Sequence, residues 1–247
     1  MTIRYEANPP KILPGVDLGE AVPKFVEKIR LVSDVCDAIH LTENVLGFQR
    51  VPPTRVGLAI KKEIPRITIT ASLRVRDKTE QEIRKFAGDC VRGGFSGMLL
   101  VMGDPPQDRR PDSGQVPSTV LRRLRADGLD SEIDLYLSIP RRPDFGKIKK
   151  KRDAGPKGFM TQVIQSVDQV RNIVDGLDGF SVIPIVLYPS EKNERSARFL
   201  GLDLASYGKD FAGFVNRIEE IAGDVLVTSP GDFEGVLRFL RDRKGRQ

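Results

Sequence analysis

"RITITASLRVRDKTEQEIRKFAGDCVRGGFSGMLLVM" (66–102) contains a strand, a helix and a second strand with their boundary signals. Residues 66–73 are rich in β-branched side chains and alternate in polarity, the pattern of a strand. Thr79 with Glu82 three positions on has the spacing of a capping box, which predicts a helix starting there. Gly93 and Gly94 stand where a helix C-cap belongs. "SGMLLVM" (96–102) is again strand-like and runs into "GDPP" (103–106). A strand, a helix and a further strand in this order is the repeating unit of a parallel α/β protein.

The same rhythm extends in both directions. Strands are expected at 2–7, 37–43, 66–73, 96–102, 132–139, 158–164, 179–188 and 224–229. Helical patterns are expected at 21–36, 55–64, 77–94, 118–127, 144–155, 166–177, 193–200, 207–221 and 231–244. Eight strands, each followed by helical sequence over 247 residues, have the size and period of a single (β/α)8 TIM barrel spanning 1–247. The competing doubly wound sheet would carry a glycine fingerprint after its first strand. Here that strand ends in "EANPPK" (6–11), without it.

Composition narrows the function classes. Lys and Arg number 40 against 34 acidic residues, a net charge of +6. Three readings suit that excess: non-specific nucleic-acid binding, a phosphate-bearing or polyanionic ligand, and a solvated mixed-charge surface. The basic stretch at 141–152 has only Phe145 as a stacking platform, which argues against nucleic acid. No apolar run approaches the roughly 20 residues of a membrane helix. The N-terminus lacks a signal-peptide core, so a soluble cytoplasmic protein is expected. Cys36 and Cys90, with one histidine in the chain, cannot form a usual zinc set, and are expected as buried apolar residues.

In a barrel the chemistry gathers at the C-terminal ends of the strands. Those ends carry Glu6, Thr42, Glu43, Ser72, Arg74, Asp104, Thr161, Gln162, Tyr188, Thr228 and Ser229. Glu6 lies in an apolar strand, where a charge is costly unless paired or functional; the plain alternative is an edge residue facing water. Asp104 follows a glycine and precedes Pro105 and Pro106, so it is either an ordinary turn former or a carboxylate held stiffly over the mouth. Gly103 would let the backbone approach a flat ligand. Gln162 reads as a ligand group or a satisfied core amide, and His40 as a packed strand residue.

Four stretches in order, "YEANPPK" (5–11), "RDKTEQEIRKFAGDCVRGGFSGMLLVMGDPP" (76–106), "KRDAGPKGFMTQ" (151–162) and "IPIVLYPSEKN" (183–193), resemble motifs of the methylenetetrahydrofolate reductase family. The resemblance implies a TIM-barrel oxidoreductase that reduces the methylene of 5,10-methylenetetrahydrofolate, or of a methanopterin analogue, to a methyl group. It implies that Glu6 is the general acid and that Asp104 stabilises the cationic iminium. Gln162, Thr161 and Tyr188 would touch substrate. Thr42, Ser72, Gly103, Asp104, Lys147 and Lys150 would touch an FAD. No metal is implied.

The chain departs from that family mainly around the flavin. Met102 stands where relatives carry arginine, "GQVPST" (114–119) lacks the expected tyrosine, and the loop after the fifth strand is short and has no histidine. Two cofactor expectations follow: FAD held by a rebuilt loop, or hydride taken directly from NAD(P)H. A non-catalytic pterin- or flavin-binding subunit that needs a partner is the alternative function, and a homo-oligomer is compatible with either.

Overall fold

The computed structural model describes residues 2–105 and 111–245, less the side chain of residue 46. Its elements are β1 (Thr2–Ala7), α1 (Leu18–Ser33), β2 (Ala38–Leu41), α2 (Pro53–Glu63), β3 (Thr68–Arg74), α3 (Glu80–Arg92), β4 (Gly97–Val101) and α4 (Pro117–Ala126). They continue as β5 (Asp134–Ile139), α5 (Lys149–Arg152), β6 (Gly158–Val163), α6 (Val167–Gly176), β7 (Ser181–Leu187), α7 (Glu194–Leu200), α8 (Ala205–Gly208), α9 (Phe211–Ala222), β8 (Asp224–Thr228) and α10 (Phe233–Lys244). The strands pair in chain order, all parallel, and β8 returns to β1 to close a (β/α)8 barrel. Among the described residues no helix is long and apolar enough to cross a membrane.

Local signals explain most boundaries. The Thr79–Glu82 capping box forms at the start of α3, and a second one, Ser166–Gln169, starts α6. Gly94 adopts φ +64° just beyond α3, a conformation that a side chain would strain. The basic stretch at 144–155 is the exception, because only Lys149–Arg152 is helical. There the Asp144 carboxylate accepts from the backbone N–H groups of Gly146 and Lys147, a local turn that competes with helix formation.

Strand alternation sorts side chains into two layers. Ile3, Tyr5 and Ala7 of β1 join the outer core beneath the helices, as do Ile39, Leu41, Ile69, Ala71 and Leu73 of β2 and β3. Cys36 and Cys90 are buried in the same layer. A separate cluster of Leu99, Tyr136, Met160, Ile183 and Leu226 fills the barrel interior from the side of β4–β8. By the same alternation the interior positions of β1–β3 are Arg4, Glu6, His40, Thr70, Ser72 and Arg74. One half of the interior is therefore an ordinary apolar plug, and the other half is polar.

The polar half rests on a buried ion pair. Arg4 Nε and its terminal amine both donate to the Asp224 carboxylate, at 2.7–2.9 Å, with the side chains 11% and 16% exposed. This joins the first strand to the last. Arg4→Ala is expected to cost about 3–5 kcal/mol in urea denaturation, because it strands a buried carboxylate. Arg4→Met combined with Asp224→Leu should recover most of that loss.

Candidate functional site

Glu6 is the penultimate residue of β1 and sits beside His40 on β2 and Thr228 on β8. Closure of the barrel removes the edge-strand reading, and Glu6 is half-buried at an interior position. The Thr228 hydroxyl donates to its carboxylate at 2.7 Å. Burial pushes the Glu6 pKa up, and the Thr228 hydrogen bond opposes that only in part. A carboxyl group whose protonated form burial favours, at the end of a barrel strand, suits general-acid chemistry.

His40 is 1% exposed. Its ring nitrogens lie 2.9 Å from the Thr70 hydroxyl and 2.8 Å from the Ser72 hydroxyl. Burial, helped by the positive Arg4, lowers its pKa to about 3. It is a neutral hydrogen-bonding spacer, as the sequence pattern suggests. The Thr42 hydroxyl donates to Asn8 at 2.7 Å. Two of the side chains expected against a flavin, Thr42 and Ser72, thus have partners within the protein.

At the mouth of β2 and β3 the structure assembles a cluster that the sequence did not announce. Arg74 pairs with Asp77 at 2.6 Å, and Lys78 pairs with Glu43 at 2.7 Å. Glu43 also accepts from the Arg74 backbone N–H at 2.6 Å. Arg74 is 1% exposed. Its side chain lies over Gly103, where a Cβ would sit 1.9 Å from Arg74 Cγ. Gly103, at φ +82°, therefore makes room for the Arg74 side chain, a packing reason for glycine beside its expected role. Strand-end position flagged Glu43 and Arg74, but nothing in "RDK" (76–78) signalled that Asp77 and Lys78 fold back to pair with them.

Other expected residues fall into distinct places. Asp104 is exposed just beyond β4, and the second proline of its motif, Pro106, lies outside the described residues. Gln162 is exposed at the end of β6. Thr161 is buried, and its hydroxyl accepts from the Ile185 N–H at 3.1 Å, inside a bulge between Met160 and Val163. That bond gives Thr161 a structural role at the strand end. Tyr188 is likewise turned away from the mouth. Its ring packs against Phe211 of α9 and Phe239 of α10 at 5.6 and 5.9 Å, in the outer layer, where it cannot stack on a ligand in the barrel.

Lys147 is 86% exposed beside Asp144, and Lys150 is exposed. The ammonium that reaches back to the barrel is that of Lys151, which donates to the Ser138 carbonyl of β5. Burial lowers its pKa. The run "KKKR" (149–152) gives no hint of which lysine turns inward, because one helical turn has no readable face. Of the residues expected at a flavin, Thr42 and Ser72 hydrogen-bond within the protein, Gly103 lies under Arg74, and Asp104, Lys147 and Lys150 are exposed. Among the described residues no group of three or more His, Cys, Asp or Glu residues is placed to hold a metal.

No family model matches the sequence, and no curated protein does. Solved structures do match by shape. An uncharacterized protein from Clostridium thermocellum that binds two copies of 5-methyl-5,6,7,8-tetrahydrofolic acid aligns with a TM-score of 0.70 at 15% identity, covering 100% of this chain and 96% of that one. A mutant tryptophan synthase α-subunit from Pyrococcus furiosus aligns with a TM-score of 0.62 at 10% identity, covering 99% and 98%. A 2,3-dimethylmalate lyase of the PEP mutase/isocitrate lyase superfamily aligns with a TM-score of 0.59 at 11% identity, covering 99% and 81%. At these identities the likeness establishes the barrel fold alone.

Two outcomes follow from the geometry. Gly103→Ala should destabilise the protein by about 1–3 kcal/mol, the usual cost of overpacking, with a lowered urea midpoint. His40 gives a pH dependence of definite sign. Above the ordinary imidazole pKa of 6.5 it is neutral in both folded and unfolded chains. As pH falls from there toward about 3, the unfolded chain takes up the proton and the folded chain does not, so stability drops. His40→Asn should remove that part of the acid slope.

Proposed function

We propose that the barrel mouth binds a reduced pterin of the folate type, and that Glu6 is the proton donor for reduction of its methylene bridge to a methyl group. The observation that carries the reading is Glu6 itself: an acid on the polar side of the interior, protonated form favoured, at the first-strand position where "YEANPPK" resembles the reductase motif. The folate-binding structural neighbour supports the ligand class.

The chemistry can be written on this chain's residues. Glu6 gives its proton to one of the two bridged nitrogens, and that C–N bond breaks. The carbon remains on the other nitrogen as a cationic iminium. Asp104, exposed at the end of β4, supplies negative charge that favours the cation. Hydride then adds to the iminium carbon and gives the methyl product. Thr42 and Ser72 already hydrogen-bond within the protein and Lys147 and Lys150 stand exposed beyond β5, a poor match to a flavin site on our reading that favours direct transfer from NAD(P)H. Gln162, exposed at the end of β6, is the remaining candidate for hydrogen bonding to the pterin.

A non-catalytic pterin-binding role is the second reading, favoured by the same poor match. Methyltetrahydrofolate binding without NAD(P)H-dependent turnover by the isolated chain would select it.

Steady-state reduction of methylenetetrahydrofolate by NAD(P)H is the direct test, with the purified protein expected to lack the yellow absorbance of a flavin. Glu6→Gln should lower kcat by about a hundredfold or more. In the wild type, kcat/KM should fall as pH rises through the elevated Glu6 pKa, since the donor loses its proton. Thr228→Val removes the bond that favours the ionised carboxylate, so that limb should move to higher pH. Full activity in Glu6→Gln would overturn the assignment.

A further inference from the structure

A cavity opens at the C-terminal rim, on the outer side of β1. It has a volume of about 520 Å³ and is bounded by the segments after β1, β2, β7 and β8 and by α1, within the size range of small-molecule sites. Five cationic side chains line it, Lys11, Lys28, Arg50, Lys192 and Arg195, and no carboxylate does. Three of the five are held in part by uncharged groups. Lys11 sits 4.3 Å above the Phe48 ring and Lys28 4.2 Å above the Phe233 ring. One terminal amine of Arg50 donates to the Pro9 carbonyl at 2.6 Å, while its Nε is buried without a partner.

Acidic groups approach from outside the lining. Asp232 lies 3.4 Å from Lys192, and Glu234 is near Lys28. Lys11, Arg50 and Arg195 have no carboxylate partner among the described residues. Burial lowers the pKa values of Lys28 and Arg50, so the folded chain bears an unfavourable desolvation of like charges in one hollow. An anion in the hollow would reverse that, with charge-assisted hydrogen bonds to ammonium and guanidinium groups.

We propose that this pocket binds a multiply charged anionic group, with two or more closely spaced acidic oxygens, adjacent to the strand that carries Glu6. Two sources share that chemistry: an oligo-γ-glutamyl tail on the pterin, and the pyrophosphate of a nucleotide. The first rests on the pterin reading above and the second does not.

Isothermal titration calorimetry on the full chain tests it with three probes: inorganic pyrophosphate, and mono- and tri-γ-glutamyl methyltetrahydrofolate. The pocket variant is Lys28→Ala/Arg195→Ala. The control is Lys61→Ala/Lys62→Ala, with the same charge change at the far end of α2. Pyrophosphate binding, or a gain from the mono- to the tri-glutamyl ligand, is expected in the wild type. It should weaken about tenfold or more in the pocket variant but not in the control. Pyrophosphate binding that meets this criterion without a tail-dependent gain identifies the nucleotide source, and a tail-dependent gain that meets it identifies the glutamyl source. The proposal is overturned if neither effect is seen, or if both variants weaken it alike. Pyrophosphate binding with no methyltetrahydrofolate binding would sink the pterin reading and leave the pocket. Mono-glutamyl binding with neither anion effect would do the reverse.

Discussion

The bidentate pairing of Arg4 with Asp224 is the constraint on which the polar half of the barrel depends. It fixes the register between the first and last strands and places a positive charge under Glu6 and His40. With that register set, Thr228 arrives beside Glu6 and can donate to it. The positive charge also helps to keep His40 neutral, so the imidazole bridges β2 to β3 without bringing a second charge into the interior. Charge at the base of this half is thus confined to the Arg4–Asp224 pair, with the acid of Glu6 and uncharged hydroxyl–imidazole contacts above it.

This division of the interior accounts for what could be read in the sequence. Period-two alternation in "TIRYEA" and "RITITASL" carries the strand assignment and sorts the side chains onto two faces, so the barrel and the strand that bears Glu6 are legible there. Closure decides that Glu6 faces inward, which alternation alone leaves open. Gly103 and Tyr188 show the limit. Their positions at strand ends are visible, but what occupies the space beside them comes from Arg74 on β3 and from Phe211 and Phe239 on α9 and α10. Contacts that distant in sequence leave no periodic trace.

The rim cluster and the basic pocket teach the same lesson for charge. A net excess of six positive charges pointed to a polyanionic ligand as one reading, with attention drawn to the lysine-rich run after β5. In the fold that run is mostly exposed. The convergent cations come instead from four separate segments, at residues 11, 28, 50 and 192–195. Local charge density is a poor guide to such a site, because loops from opposite ends of the chain become neighbours only when β8 meets β1.

The bulge in β6 has a further effect. Three steps along β6, from Met160 to Val163, match two along β7, from Ile183 to Ile185. The strand therefore resets its inside-outside parity just before it ends. Removing one residue there would restore regular pairing and exchange which side chains of β6 face inward at its C-terminal end, a change confined to one short segment of the wall.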